Sequence, residues 1–267
     1  MVSCRRTPPP GNASADRLTW VGHATVLLEL GGRRLLTDPV LRSRVGPLAR
    51  ASAGADPAVA RGLDAVLLSH LHLDHLDARS LRRIDGATPV IAPRGVGSLV
   101  RRLGFTEITE LGIGETVDVG GVGVRAVPAH HDGQRHPFGA RAETIGFVVA
   151  AQRRVYFAGD TELFDGMADV DDALDVALLP IAGWGPTLGP GHLGPREAAA
   201  ALTRLRPRVA VPIHWGTFYP LGLRFRRDRV LADPPREFAR YAAELAPEVD
   251  VRVLAPGEAL SLDERRS

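Results

Sequence analysis

Three histidines and two aspartates occur between residues 70 and 77, in the segment SHLHLDHLD. Imidazole and carboxylate groups are the ligands that zinc-like divalent ions prefer. Because a strand alternates its faces, His70 and His72 would point the same way, and a turn after them would bring Asp74 and His75 to a neighbouring position. The spacing therefore indicates ligands for two adjacent metal ions. The alternative is an ordinary polar loop at the start of a helix.

Further candidate ligands follow other predicted strands of the chain. His130 and His131 follow one strand, Asp160 follows a second, and His214 follows a third. An α/β scaffold collects metal-binding or catalytic groups at one end of several strands. We therefore expect these residues to join the segment at 70–77, with either of the two adjacent histidines as the ligand.

The elements that must position these groups are short strands alternating with helical stretches. Gly31-Gly32 and Gly120-Gly121 are typical of hairpin turns, and the segment LDAVLLS at 63–69 resembles LDVALLP at 174–180. The pattern predicts two similar halves, with sheets packed together and helices outside. The predicted strands are 18–21, 24–30, 33–37, 64–69, 90–92, 116–119, 122–128, 144–150, 154–158, 174–180, 209–213 and 249–254. The predicted helices are 78–84, 96–103, 195–206 and 235–245.

Length and composition limit the domain organisation and the function classes. The chain has 267 residues, 45% of them apolar, which fits one large domain over 17–267. Residues 1–16, with three consecutive prolines and no apolar run, predict a flexible tail without a secretory signal, and hence a cytoplasmic location. No apolar run is long enough for a membrane-spanning helix. The lone Cys4 excludes an internal disulfide framework and an iron–sulfur cluster.

The charge pattern gives no reason to expect a nucleic-acid partner. The 33 basic and 31 acidic residues leave a net charge of +2, and the arginines are scattered in ones and twos. A dispersed basic surface is typical of ordinary solvated faces.

The order of motifs, HxHxDH, then His, then Gly-Asp, then His, resembles that of the metallo-β-lactamase superfamily from about residue 18 to 262. Finer markers resemble the branch that contains the N-acyl-phosphatidylethanolamine phospholipase D-type hydrolases and, more distantly, the L-ascorbate-6-phosphate lactonases. These markers are WxGHAT at 20–25, LTDP at 36–39, PAxH at 128–131, FAGDT at 157–161 and PIHWGTF at 212–218. The resemblance implies an α/β fold, an αββα sandwich of two mixed sheets with helices on the outer faces.

The resemblance also implies a dinuclear metal site with an assigned ligand set. One ion would be held by His70, His72 and His131, the second by Asp74, His75 and His214, and Asp160 would bridge both. The Pro-Ala-x-His pattern of the branch selects His131 over His130. The ions, Zn²⁺ first with Mn²⁺ or Fe²⁺ as alternatives, would share a hydroxide whose pKa is lowered towards ~7. Asp74 would also orient that hydroxide.

Three polar residues outside this ligand set have implied or open roles. His192 corresponds to an active-site histidine of the phospholipase branch, so it would bind the scissile group or protonate the leaving group. Its alternative is a loop histidine at a helix start. His23 and Asp38 either hydrogen-bond ligand histidines or make structural polar contacts. Asp77 is predicted to cap the helix that follows it.

Two further features lie close to the predicted site. Trp184, Trp215 and Phe218 are predicted to line a substrate pocket, with a place in the core as the alternative. The arginine-rich segment 222–233 is predicted to be an insertion, either a basic flap that attracts an anion or a solvated loop.

The sequence therefore predicts a metal-dependent hydrolase acting on a phosphodiester in the manner of a phospholipase D. Its substrate would be a small-molecule or lipid-like anion. For the oligomeric state, the sequence is compatible with a homo-oligomer. The same metals would serve a lactone or carboxylic ester hydrolase. Alternatives of another class are an iron-dependent oxidoreductase and a non-catalytic binding protein.

Overall fold

The computed structural model describes residues 15–134, 141–183, 188–222 and 227–263. Most of the predicted tail, residues 1–14, lies outside this part of the chain. Asp16, placed in that tail, is buried; its carboxylate accepts a hydrogen bond from the Gly31 amide and its carbonyl accepts one from Leu262.

The described residues form seventeen strands and four α-helices. The strands are β1 (Arg17–Gly22), β2 (Thr25–Leu30), β3 (Arg33–Thr37), β4 (Arg44–Val45), β5 (Leu48–Arg50), β6 (Ala65–Leu67), β7 (Val90–Pro93), β8 (Ile108–Leu111), β9 (Thr116–Val119), β10 (Val122–Pro128), β11 (Ile145–Ala150), β12 (Arg154–Phe157), β13 (Val176–Pro180), β14 (Val209–Ile213), β15 (Phe218–Pro220), β16 (Asp250–Val251) and β17 (Ala259–Ser261). The helices are α1 (Ala78–Leu81), α2 (Gly97–Arg102), α3 (Pro195–Leu205) and α4 (Arg227–Leu245), and short 3₁₀ helices cover Pro57–Ala60 and Asp165–Asp169.

Two seven-stranded sheets share one topology. Their strand orders are β17-β1-β2-β3-β6-β7-β8 and β9-β10-β11-β12-β13-β14-β16. In each order three antiparallel pairings are followed by three parallel ones. The similar segments that contain β6 and β13 supply the fifth strand of each sheet, so the predicted similarity of the two halves is confirmed. A third sheet has the order β15-β5-β4.

The core lies between the two large sheets, and each sheet carries helices on its other face. Along β13, Val176 and Leu178 point into the core between the sheets, whereas Ala177 and Leu179 pack in a second apolar cluster with residues of α3 and α4. A third cluster joins the outer face of the first sheet to α1 and α2. This alternation explains why the strands are apolar on both faces. The predicted αββα sandwich is confirmed.

Some predicted boundaries are wrong. Helix α4 begins at Arg227 rather than at residue 235, and Pro234 and Pro235 lie inside it. The prediction placed these prolines at a helix start, where proline is favoured, but the arginine, leucine and alanine before them are good helix formers. The loop interpretation of 222–233 is therefore wrong from Arg227 onward, and residues 223–226 lie outside the described residues.

The sequence analysis also missed the short edge strands β8 and β17 and lengthened β16. These strands have two to four residues, and their sequences lack an extended run of alternating apolar residues. A pattern with period two needs a longer run before it can be recognised.

Candidate metal centre

The candidate ligands meet at one edge of the sandwich because each follows the carboxyl end of a strand. His70 follows β6 and Asp38 follows β3 in the first sheet. His131 follows β10, Asp160 follows β12 and His214 follows β14 in the second. The two sheets therefore contribute to the same site from opposite sides.

One group of ligand atoms consists of the imidazoles of His70, His72 and His131, which lie within 4.8 Å of one another. His72 Nδ1 and His131 Nε2 are 3.0 Å apart. The ring of His70 lies 4.7 Å from that of His72 and 4.8 Å from that of His131, measured between centroids. We call this set the first group.

The second group contains Asp74, His75 and His214, with His23 beside them. The Nε2 atoms of His75 and His214 are 3.1 Å apart, and each is 3.9 Å from Asp74 Oδ2. His23 Nε2 lies 2.9 Å from the same carboxylate oxygen.

Asp160 lies between the two groups. Its Oδ2 is 3.2 Å from His75 Nε2 and 4.0 Å from His131 Nε2, and its Oδ1 is 3.3 Å from His214 Nε2. The side chain is 3% exposed. One buried carboxylate is thus placed to reach both groups, as a bridging ligand must.

The ring nitrogens that face away from the centre contact hydrogen-bond acceptors. His131 Nδ1 lies 2.8 Å from the Gly191 carbonyl, His214 Nδ1 2.8 Å from the Ala182 carbonyl, and His75 Nδ1 2.7 Å from Asp38 Oδ2. Since carbonyls and carboxylates only accept, these nitrogens carry the protons. The Nε2 lone pairs then face inward.

The inward Nε2 atoms of His75 and His214, 3.1 Å apart, require a cation between them, which is either a second proton on His75 or a metal ion. His70 Nε2 and Asp160 Oδ1 are also buried here without a hydrogen-bond partner in the described part of the chain. Such atoms require an explanation, and imidazole nitrogen and carboxylate oxygen are ligands for zinc and similar ions. The residues fit a pair of divalent ions.

Electrostatics keeps most of these imidazoles neutral, which is the form that binds metal. Burial lowers the pKa of His70, His72 and His214, and it lowers the pKa of His131 to about 4. At His75 burial acts in the same direction, but the carboxylates of Asp160 and Asp38 outweigh it and raise the pKa.

The carboxylates of the centre stay ionised. Burial would raise the pKa of Asp160, but the neighbouring His214 and His75 hold it well below its usual range. The hydrogen bond from His23 and the nearby His75 likewise outweigh burial and lower the pKa of Asp74.

Backbone strain is concentrated at the same edge. Among the described residues, four other than glycine have positive φ, and three of them are His23 (55°), Asp38 (32°) and His214 (62°). The His23 carbonyl accepts a hydrogen bond from the His214 amide at 2.9 Å, and the His23 amide donates to Thr217 Oγ1 at 2.7 Å. Strained conformations of this kind persist where the surroundings fix them, commonly at functional sites.

The adjacent residues His130 and His131 have different surroundings in the structure. His131 belongs to the first group, whereas His130 is exposed and its ring stacks on Phe164 at 4.1 Å. His192 lies at the open side of the centre: its Nε2 is 3.6 Å from Asp160 Oδ2, and its ring is 4.6 Å from that of His131.

The remaining predicted residues lie around the centre. Asp38 accepts a hydrogen bond from a ligand histidine, one of its two predicted roles, whereas the His23 ring hydrogen-bonds Asp74 and lies 3.8 Å from the His214 ring, between centroids. The Asp77 carboxylate accepts from the Ser80 amide at the start of α1, which confirms the predicted cap. Trp215 stacks on Trp20, at 5.0 Å.

Phe218 is buried against Val40, Val45 and Leu48 and contacts His23 edge-on at 5.3 Å. Its burial favours the core alternative over a pocket wall. Trp184 lies outside the described residues. The sequence analysis missed Ser69 and the carbonyls of Ala182 and Gly191, which contact ligand histidines.

Residues 33–215 match a family model described as a β-lactamase superfamily domain. This chain belongs to the metallo-β-lactamase superfamily. This superfamily member is 34% identical over 249 residues to a UPF0173 metal-dependent hydrolase of Methanopyrus kandleri, covering 91% of this chain and 98% of the relative. It is 33% identical over 254 residues to N-acyl-phosphatidylethanolamine-hydrolyzing phospholipase D 1 of Caenorhabditis elegans, covering 81% and 70%.

A solved structure also resembles this metallo-β-lactamase superfamily member. Igni18, a metallo hydrolase from Ignicoccus hospitalis, superposes with a TM-score of 0.71 at 27% identity and covers 94% of this chain and 100% of its own. The predicted enzyme class, a metal-dependent hydrolase of this fold, is confirmed. None of the described helices combines the length and apolar character needed to cross a membrane. The cytoplasmic location, the single-domain boundaries and the oligomeric state stay predictions.

Proposed function

We propose that this metal-dependent hydrolase cleaves a phosphodiester with two divalent ions, Zn²⁺ first, in the manner of a phospholipase D. The observation that carries the proposal is the convergence of ligand atoms at one edge: the imidazole nitrogens of each group approach to 3.0–3.1 Å. The Asp160 carboxylate lies 3.2–3.3 Å from the second group and 4.0 Å from His131 of the first. The first group would hold one ion and the second group the other, and Asp160 would contact both.

When bound, two such ions lower the pKa of a coordinated water towards ~7 and neutralise charge on the attacked phosphoryl oxygens. The chain supplies the orientation. Asp74 Oδ2 accepts a hydrogen bond from His23 Nε2, so the direction of this carboxylate in the centre is fixed. The rings of His131 and His214 are fixed by the carbonyls of Gly191 and Ala182.

We assign to His192 the transfer of a proton to the substrate. Its Nδ1 lies 3.1 Å from the carbonyls of Gly189 and Pro190, so that nitrogen is the donor to the loop. Its Nε2 faces Asp160; in the imidazolium form this atom also carries a proton, which would pass to the leaving group and leave a neutral ring protonated on Nδ1. The side chain is 23% exposed, which leaves it open to substrate.

The similarity to a phospholipase D supports the phosphodiester over other substrates. The chemistry of the centre agrees, because two cations beside His192 would attract an anionic phosphoryl group. Hydrolysis of a lactone or carboxylic ester would use the same groups, and the experiment below distinguishes the two.

The test begins with chelator-treated protein reloaded with Zn²⁺, Mn²⁺ or Fe²⁺ and assayed on bis-p-nitrophenyl phosphate and a lactone panel. We expect phosphodiesterase activity that requires about two ions per chain and is lost in His131→Ala but kept in the neighbouring His130→Ala. Activity on lactones alone would contradict the phosphodiester proposal and indicate a lactone or carboxylic ester as the substrate. A single tightly held iron with oxygen consumption would indicate an oxidoreductase.

A further inference from the structure

A network of four buried side chains lies behind the metal centre. Asp38, Ser69, His70 and His75 are all 0% exposed. Asp38 Oδ2 is 2.5 Å from Ser69 Oγ and 2.7 Å from His75 Nδ1, and Ser69 Oγ is 2.9 Å from His70 Nδ1. One carboxylate therefore contacts a histidine of the second group directly and a histidine of the first group through a hydroxyl.

The direction of every hydrogen bond in this network follows from the groups themselves. An ionised carboxylate can only accept, so the Ser69 hydroxyl donates its single proton to Asp38. The Ser69 oxygen is then left with lone pairs towards His70 and can only accept from Nδ1–H. The proton of His70 is thereby held on Nδ1, and its Nε2, which has no hydrogen-bond partner among the described residues, presents a lone pair to the first group.

The chain makes room for this hydroxyl. A Cβ on Gly159 would lie 2.9 Å from Ser69 Cβ, and Gly159 has a φ of +62°, a conformation that favours glycine. The same glycine precedes Asp160. The close approach of Ser69 and the placement of the bridging carboxylate thus depend on one backbone position.

We infer that Ser69 is a positioning residue that fixes the His70 tautomer, with its own hydroxyl oriented by Asp38. The inference rests on the proposed metal centre. Hydrogen bonds to the outer nitrogen of a ligand histidine typically change metal affinity by about 10- to 100-fold. Loss of the Ser69 hydroxyl should therefore weaken one of the two ions by that factor and leave the other nearly unchanged.

The test compares Ser69→Ala with Ser80→Ala, a matched control. Ser80 is equally buried, and its hydroxyl also donates to an aspartate, Asp77, at 2.6 Å, but it lies outside the metal centre. Stepwise affinities for Zn²⁺ are measured by competition with a chromophoric chelator. We expect one affinity to fall about 10- to 100-fold in Ser69→Ala and both to be kept in Ser80→Ala.

A second readout needs neither metal nor activity. In metal-free protein with ¹⁵N-labelled histidine, the His70 signals should show the Nδ1–H tautomer, and Ser69→Ala should change them to a mixture. An unchanged tautomer together with two unchanged affinities, or an equal loss at both ions, would overturn the inference. A wild-type protein that binds no divalent ion would refute the proposed metal centre, while the tautomer measurement would still decide the role of Ser69.

Discussion

Replacing His192 with alanine should separate proton transfer from metal binding. Within the described part of the chain, the polar and ring contacts of His192 are with the carbonyls of Gly189 and Pro190, the ring of His131 and, at 3.6 Å, Asp160. Because the side chain is partly exposed and the buried Asp160 lies beyond hydrogen-bond distance of it, its loss should cost under about 1 kcal/mol of folding stability. Positioned acid–base groups are worth about 10²–10⁴-fold in rate, and a hundredfold loss corresponds to about 2.7 kcal/mol of transition-state stabilisation.

The assay compares two phosphodiesters that differ in their leaving group. On a substrate with an alkoxide leaving group, which needs a proton, His192→Ala should lose at least about a hundredfold in kcat. On bis-p-nitrophenyl phosphate, whose leaving group needs none, the loss should stay below about tenfold. Metal content and Tm should match the wild type, and the exposed His130→Ala serves as the control. Equal losses on both substrates would refute proton donation and favour substrate binding; no loss on either would return His192 to a structural role.

Three further perturbations test the metal centre. Asp160→Ala should reduce about two ions per chain to one or none, measured by elemental analysis, whereas the exposed Asp165→Ala should keep both. His131→Ala should lose metal from the first group and His130→Ala should keep it; the reverse pattern would show that the wrong histidine was chosen. Gly191→Ala places a Cβ 3.1 Å from His131 Nδ1 at a φ of +77°, so it should cost about 1–2 kcal/mol in thermal unfolding and weaken one ion. Gly189→Ala, with open space around it, should change neither.

Residue type and order were sufficient to group most of the residues that the fold brings together at this edge. Histidine and aspartate residues are read directly from the sequence. Because parallel strands bring their carboxyl ends to one edge of a sheet, residues that follow different strands could be assigned to one site although they lie far apart in the chain. Strands bounded by glycine turns or by proline and polar residues were predicted to the residue, as at Thr116–Val119, Val122–Pro128 and Val209–Ile213. In these cases local chemistry and tertiary structure agree.

The contacts around the ligands could not be predicted in the same way. The carbonyls of Gly191 and Ala182 fix two histidines, but every residue has a carbonyl, so residue type carries no signal for this role. The partner of His23 is a carboxylate because the turn between β1 and β2 has a left-handed backbone and turns the ring towards Asp74. Such directions depend on the packing of two sheets, which no single segment specifies.

Each metal group draws its ligands from both sheets, and this has a consequence for how the chain unfolds. His72 and His131 are 59 residues apart in the chain, and His75 and His214 are 139 residues apart. An ion held by either pair would act as a cross-link between the two halves of the sandwich, closing a loop that costs the free chain roughly 4 kcal/mol of entropy. With the ions bound, we expect the halves to melt together in one cooperative transition. With the ions removed by a chelator, the halves rely on the apolar interface and on hydrogen bonds such as that from the His214 amide to the His23 carbonyl. Hydrogen exchange should then show the site edge opening before the rest of the sheets.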